Sequence, residues 1–128
     1  RRLVTLAAIS GFVAVVMGAF GAHGLKQIQP PLPEQRLMAF DTGVRYQMYH
    51  ALALLATAWV ATQMSEKWAR RAGAWFVIGT VLFSWSLYAL VLLDQPWLGR
   101  VTPFGGLAFL VGWAFLAVAA ISSSHPTE

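Results

Sequence analysis

Side chains able to hold or move a proton are scarce in this chain and fall in four places. His23 closes an apolar run, Arg45, Tyr46, Gln47, Tyr49 and His50 crowd one short stretch, Ser84 and Tyr88 stand in a third region, and Thr102 opens a fourth. The crowded stretch can be built on one helix. Asp41 with Arg45, Arg45 with Tyr49, and Tyr46 with His50 are each four residues apart, the spacing at which side chains meet on a helix surface. Thr80, Ser84 and Tyr88 repeat that spacing as a single polar stripe, expected to face inward. Imidazoles exchange protons near neutral pH, a guanidinium supplies a fixed charge, and tyrosine hydroxyls donate or accept. These types allow a small polar pocket that handles a proton, an ion or a small metabolite. The same atoms also allow a hydrogen-bond network that clamps helices together, and this second use is favoured because interhelical polar bonds of about 0.6 kcal/mol are common in membrane bundles.

Richer chemistry lacks its residues. No span holds paired carboxylates, and neither a phosphate loop nor a Ser-His-Asp spacing is present. Cysteine is absent, which excludes disulfides and thiolate ligands. Two histidines, with only Asp41 or Asp94 to add, make an incomplete zinc set. No catalytic residue, metal site or cofactor is therefore assigned, and a membrane-embedded enzyme ranks behind the structural and carrier readings.

The elements that must position these groups follow from composition. At 58% hydrophobic and 11% charged residues over a length of 128, the chain is far more apolar than a soluble domain, in which about a quarter of residues are charged. Such a length holds about four spans of roughly 20 residues and no separate soluble domain. The expected architecture is all-α, a polytopic membrane protein folded as one four-helix bundle over 1–128, with spans at about 3–23, 42–64, 73–93 and 101–121. The net charge of +4 then reports membrane topology rather than nucleic-acid binding, which nothing else supports.

Leu3 to His23 carries no charge and follows Arg1 and Arg2. A cleaved signal peptide is the rival reading, but the run exceeds the roughly 7 to 15 residues of such an apolar region. Lys26 to Phe40 reads as a connection broken by Pro30, Pro31 and Pro33, with a short helical turn at Glu34 to Phe40 that lays Leu37, Met38 and Phe40 on the membrane surface. Ser65 to Arg71 and Asp94 to Arg100 read as short connections, with Trp68, Trp75 and Trp97 as interfacial anchors. Thr102-Pro103 reads as the cap and first-turn proline of the last span, and Ser122 to Glu128 as a frayed polar tail.

Small residues recur on two helices. Ala7, Gly11, Ala14, Gly18 and Ala22 share one face of the first, with Gly21 beside them, and Gly105, Ala108, Gly112 and Ala119 share one face of the fourth. Lipid gives no hydrophobic drive for helix association, so close backbone approach along such faces supplies it. Four spans leave both termini on one side. That side carries Arg1, Arg2, Lys67, Arg70 and Arg71 against Lys26, Arg36 and Arg100 opposite, with Arg45 just inside the second span, a modest bias toward cytoplasmic termini.

The blocks Gly18-Ala19-Phe20-Gly21-Ala22-His23, Tyr46-Gln47 with His50-Ala51-Leu52, Gly79 with Leu82-Phe83-Ser84 and Ser86-Leu87-Tyr88, Thr102-Pro103-Phe104-Gly105-Gly106, and Gly112-Trp113 touch all four spans. Together they resemble the small membrane proteins grouped as domain of unknown function 423, related to eukaryotic transmembrane protein 256. The resemblance implies a four-helix protein of the bacterial inner membrane without an established biochemical role. It brings no catalytic residues, and marks His23, Tyr46, Gln47, His50, Ser84, Ser86, Tyr88, Thr102 and Pro103 as motif positions. One departure stands out. The family pattern places Gly between the two serines, where this chain has Trp85, so Trp85 is expected to face lipid or to fill a gap against a partner subunit.

Two functional expectations result. The first is a structural or accessory protein in the lipid bilayer, a self-associating homo-oligomer or a subunit of a larger membrane complex. The second is a small carrier or channel using the His, Arg and Tyr groups near the non-cytoplasmic face.

Overall fold

The computed structural model describes residues 1–122, so the expected polar tail lies, beyond Ser122, outside the described residues. Among the described residues the regular elements are all helical, without a strand: α1 (Arg2–His23), α2 (Glu34–Gln63), α3 (Glu66–Thr80), a π-helical turn (Val81–Trp85), α4 (Ser86–Leu92) and α5 (Thr102–Ser122). From α3 to α4 the helix is continuous across the π turn, so the bundle has four rods. Short 3₁₀ turns at Leu25–Gln27 and Pro96–Arg100 occupy two of the connections.

Two boundaries differ from the sequence expectation, for one reason. The turn expected at Glu34 to Phe40 is the start of α2 itself, and the connection expected at Ser65 to Arg71 shrinks to Met64 and Ser65 because α3 begins at Glu66. Charged residues in a first helical turn look like loop in a membrane chain, yet Glu34 and Glu66 stand where a carboxylate favours the helix dipole. Pro33 stops the helix from starting earlier, and nothing after Glu34 breaks it. Phe40 accordingly leaves the expected surface position for the core, at 1% exposure.

Among the described residues three rods are long and apolar enough to cross a membrane: Arg2–Gln27, Glu66–Leu92 and Pro96–Ser122. The fourth, α2, has 30 residues, about 45 Å of helix against a hydrocarbon core of roughly 30 Å. Its apolarity is diluted by Arg36, Asp41, Arg45, Gln47 and His50. Large apolar side chains such as Phe12, Val15, Leu55, Leu107 and Leu110 stand exposed around the bundle, which suits lipid and not water.

Rods adjacent in sequence pack together: α1 on α2, α2 on the α3–α4 rod, and that rod on α5. The core divides into layers along the bundle. Leu25, Phe40, Tyr88 and Val91 fill the end nearer the α1–α2 connection, where the Leu25 side chain plugs the loop. Ala7, Leu54, Ala72, Phe76 and Phe109 fill the middle. Val60, Ala69 and Ala119 close the other end. Glycines set the rod spacing where a Cβ would collide with a neighbour. A Cβ on Gly105 would run into the backbone nitrogen of Phe83 and lie 2.7 Å from the carbonyl carbon of Leu82, so α5 rests directly on the π turn. Gly112 lies under Phe76, and Gly79 makes room for the ring of Phe109.

Candidate functional site

The polar residues do not form one cluster. They separate into two buried groups, a hydroxyl pair, the separately buried Thr80 and Ser84, and an exposed remainder.

Gln47 is the centre of the first group, at 1% exposure. Its amide nitrogen donates to the Ser10 carbonyl oxygen of α1 at 3.1 Å, with the Ser10 hydroxyl at 3.4 Å. Its amide oxygen accepts from the Tyr88 hydroxyl at 2.8 Å. One side chain on α2 thereby ties α1 to α4. The approach depends on Gly43, one turn earlier, where a Cβ would lie 3.0 Å from the Tyr88 ring and 3.2 Å from the Ser84 carbonyl oxygen. Phe40 and Tyr88 stand ring to ring at 5.0 Å and seal the group from the loop side.

His50, 5% exposed, is the centre of the second group. Its Nε2 accepts from the Trp113 indole N–H of α5 at 3.1 Å, while Nδ1 lies 2.7 Å from the Tyr46 carbonyl oxygen. A carbonyl accepts only, so Nδ1 carries the hydrogen, and the neutral ring uses both nitrogens. The imidazole lies flat on Phe109, with centroids 3.5 Å apart and planes 7° from parallel. Protonation at Nε2 would set one donor against another. His50 is thus built in as a fixed connector between α2 and α5.

Thr102 and Ser86 make the hydroxyl pair, their oxygens 2.7 Å apart, which joins the start of α5 to α4. Thr102 is the first residue of α5 and bonds sideways instead of capping the helix as expected. Thr80 returns its hydroxyl to the Phe76 carbonyl at 2.9 Å. Ser84 is completely buried, and its hydroxyl is the one buried side-chain polar atom without a hydrogen-bond partner among the described residues. The inward stripe of Thr80, Ser84 and Tyr88 is present, and Ser86 is buried as well. The rod lies between two neighbours, so Ser84 packs toward Gly43 of α2 while Ser86 turns to Thr102 of α5.

The remaining candidates face outward. His23 ends α1 with its side chain exposed, whereas His50 is buried among Phe76, Phe109 and Trp113. Arg45 pairs with Asp41 at 3.1 Å, and both side chains are more than half exposed. Asp94, two residues past the end of α4 and with a positive φ of 50°, pairs with Arg36 of α2 at 2.5 Å. Tyr46 leans on Phe83 with ring centroids 4.6 Å apart, and Tyr49 is 54% exposed. Among the described residues, no three His, Asp or Glu side chains stand close enough to hold a metal ion.

The expected packing glycines divide between two seams. Gly11, Gly18 and Gly21 face α2 at Ala51, Val44 and Phe40, and Gly105 and Gly112 face the α3–α4 rod. Gly21 continues the first stripe where Ala22 was expected, since Ala22 is exposed. Ser10 and Trp113 are the partners that sequence spacing missed. Trp113 carried a readable sign, because an indole N–H inside a membrane span needs an acceptor. Ser10 contributes mainly a backbone oxygen, which no residue type announces.

Residues 17–106 match the family model described as "Protein of unknown function (DUF423)". The chain is 42% identical over 122 residues to the UPF0382 membrane protein YwdK of Bacillus subtilis, covering 94% of this chain and 97% of that one. It is 43% identical over 123 residues to a UPF0382 membrane protein of Haemophilus influenzae, covering 96% of each. It is 40% identical over 121 residues to the UPF0382 inner membrane protein YgdD of Escherichia coli K12, covering 94% of this chain and 90% of that one. No solved structure matches the chain.

Proposed function

This chain belongs to the DUF423 family of membrane proteins, and from that premise we propose that it is a structural or accessory component of the bacterial inner membrane whose intramembrane polar residues clamp its helices. One observation carries the reading: the donors and acceptors of Gln47, Tyr88 and His50 are consumed by one another, by Ser10, by Trp113 and by backbone. A carrier needs side chains free to exchange partners with a passing ligand. Interhelical bonds of this kind are worth about 0.6 kcal/mol each, up to about 1.7, which suits a scaffold. The bundle takes its place with both termini in the cytoplasm, supported by the arginines and lysine at that end. Its partners are lipid, a second copy or the subunits of a larger complex, reached through the exposed apolar faces.

The test is purification in mild detergent or native nanodiscs, followed by mass determination of everything retained. A defined oligomer or a stoichiometric complex is expected. A bare monomer that carries protons or a solute across proteoliposomes, with flux lost in His50→Ala, would overturn the reading in favour of a carrier.

A further inference from the structure

Helix α1 rests on α2 and scarcely meets α3. Near its start Leu3 packs onto Gly73, where a Cβ would lie 2.5 Å from the leucine side chain. Elsewhere a groove stays open between α1 and the α3–α4 rod, with α2 as its floor. At the end that carries Arg1 the groove widens to a cleft of about 810 Å³, into which Arg1, Arg2, Thr62, Glu66 and Arg70 bring all the polar side chains. Glu66 pairs with Arg70 at 2.7 Å. The cleft therefore holds one carboxylate against three guanidiniums. Leu6 and Val77 line this cleft and also a narrower inner cavity of about 140 Å³ that continues past Ile9, Val13 and Val81 to Trp85. At the inner end the Gln47 amide is already committed to Ser10 and Tyr88, so what the cavity offers is apolar wall.

We propose that this groove binds an anionic glycerophospholipid, with its phosphate against Arg1, Arg2 and Arg70 and one acyl chain laid along Leu6 and Val77 toward Trp85. Charge and depth both select that occupant. The guanidiniums stand at the helix ends, the level of headgroups, and a guanidinium fork matches phosphate geometry. The apolar part begins one to two turns deeper, at the level of acyl chains. A partner helix would need an acidic end to match the cleft and would have to thread between α1 and α3. Trp85, about half exposed, lines the inner cavity opposite Leu6, Ile9 and Val13 of α1 and becomes the wall against which the chain tip lies. The site is independent of the clamp reading, since none of its arginines takes part in the clamps.

The experiment is native mass spectrometry of the full chain titrated with phosphatidylglycerol and with phosphatidylcholine of identical acyl chains. Phosphatidylglycerol is expected to bind at least about tenfold more tightly. Each basic residue near a membrane surface is worth about a fivefold change in affinity, so Arg2→Gln with Arg70→Gln should remove most of the preference. Lys67→Gln with Arg71→Gln serves as the control pair, because those cations lie over the Trp68 ring outside the cleft; it should leave the preference intact. Val77→Phe should weaken both lipids equally while keeping the headgroup preference. Far-UV circular dichroism establishes that each variant folds, and Arg70→Lys should retain part of the preference. Equal binding of the two lipids would overturn the proposal. So would a control pair as damaging as the cleft pair, displacement of the lipid by an equal concentration of inorganic phosphate, or a second copy of the chain occupying the cleft in place of lipid.

Discussion

Helix α1 meets α2 through Ala7, Gly11, Ala14, Gly18 and Gly21, and α5 meets the α3–α4 rod through Gly105, Ala108, Gly112 and Ala119. Written as sequence the two stripes look alike, yet the seams differ in depth. On α1 a Cβ at Gly11 would touch Ala51 at 3.9 Å, ordinary contact, one at Gly18 would meet Val44 at 3.3 Å, and one at Gly21 would press on the Phe40 ring at 2.9 Å, where a side chain can give way. On α5 a Cβ at Gly105 would strike the backbone of the π turn, and one at Gly112 would enter the Phe76 ring at 2.6 Å. The partner decides. Small residues state that a face can be approached; only a facing glycine, a bulge or a ring pressed flat shows that it is. α5 meets the backbone of its neighbour at Gly105, whereas α1 meets only side chains at its three seam glycines and takes its polar tie from Gln47.

The comparison can be broken by substitutions whose effects should fall in order. Gly105→Ala should be the worst, costing about 2–3 kcal/mol, the upper part of the range for over-packing, because neither backbone can turn aside; unfolding in detergent with increasing dodecyl sulfate reads it. Gly112→Ala should cost less, about 1–2 kcal/mol, and Phe76→Leu in the same chain should restore part of it by withdrawing the ring. Ser86→Ala should lose about 0.6 kcal/mol in the same unfolding measurement, the ordinary value of an interhelical polar bond. Ser84→Ala should lose nothing, since its hydroxyl has no partner to forfeit. Gly11→Ala should leave stability unchanged or raise it by up to about 1 kcal/mol through helix propensity alone. A Gly11→Ala loss as large as that of Gly105→Ala would remove the distinction between the seams.

Much of this was legible in the chain. Charge-free runs give the first and last rods nearly to the residue, since in lipid only a helix satisfies its own backbone. The starts of α2 and α3 were hidden because Glu34, Arg36, Glu66 and Arg70 imitate a loop. Their acids and bases in fact sit in early helical turns, with Arg70 four residues after Glu66. The π turn left no sign in the spacing along its own helix, and the Gly105 it packs against lies across the bundle. For the polar residues, spacing along one helix found the Asp41–Arg45 pair and the inward stripe. It could not separate Gln47 from His50, which lie one turn apart on α2 and reach opposite neighbours. Spacing along the chain also could not tell that His23, at the end of α1, is exposed while His50 is buried.

The most direct test of the clamp is a double-mutant cycle of Gln47→Leu and Tyr88→Phe, read as unfolding free energy in detergent. A coupling of about 0.6 to 1.7 kcal/mol between the two changes is expected. Additive losses, with no coupling between two groups 2.8 Å apart, would contradict it.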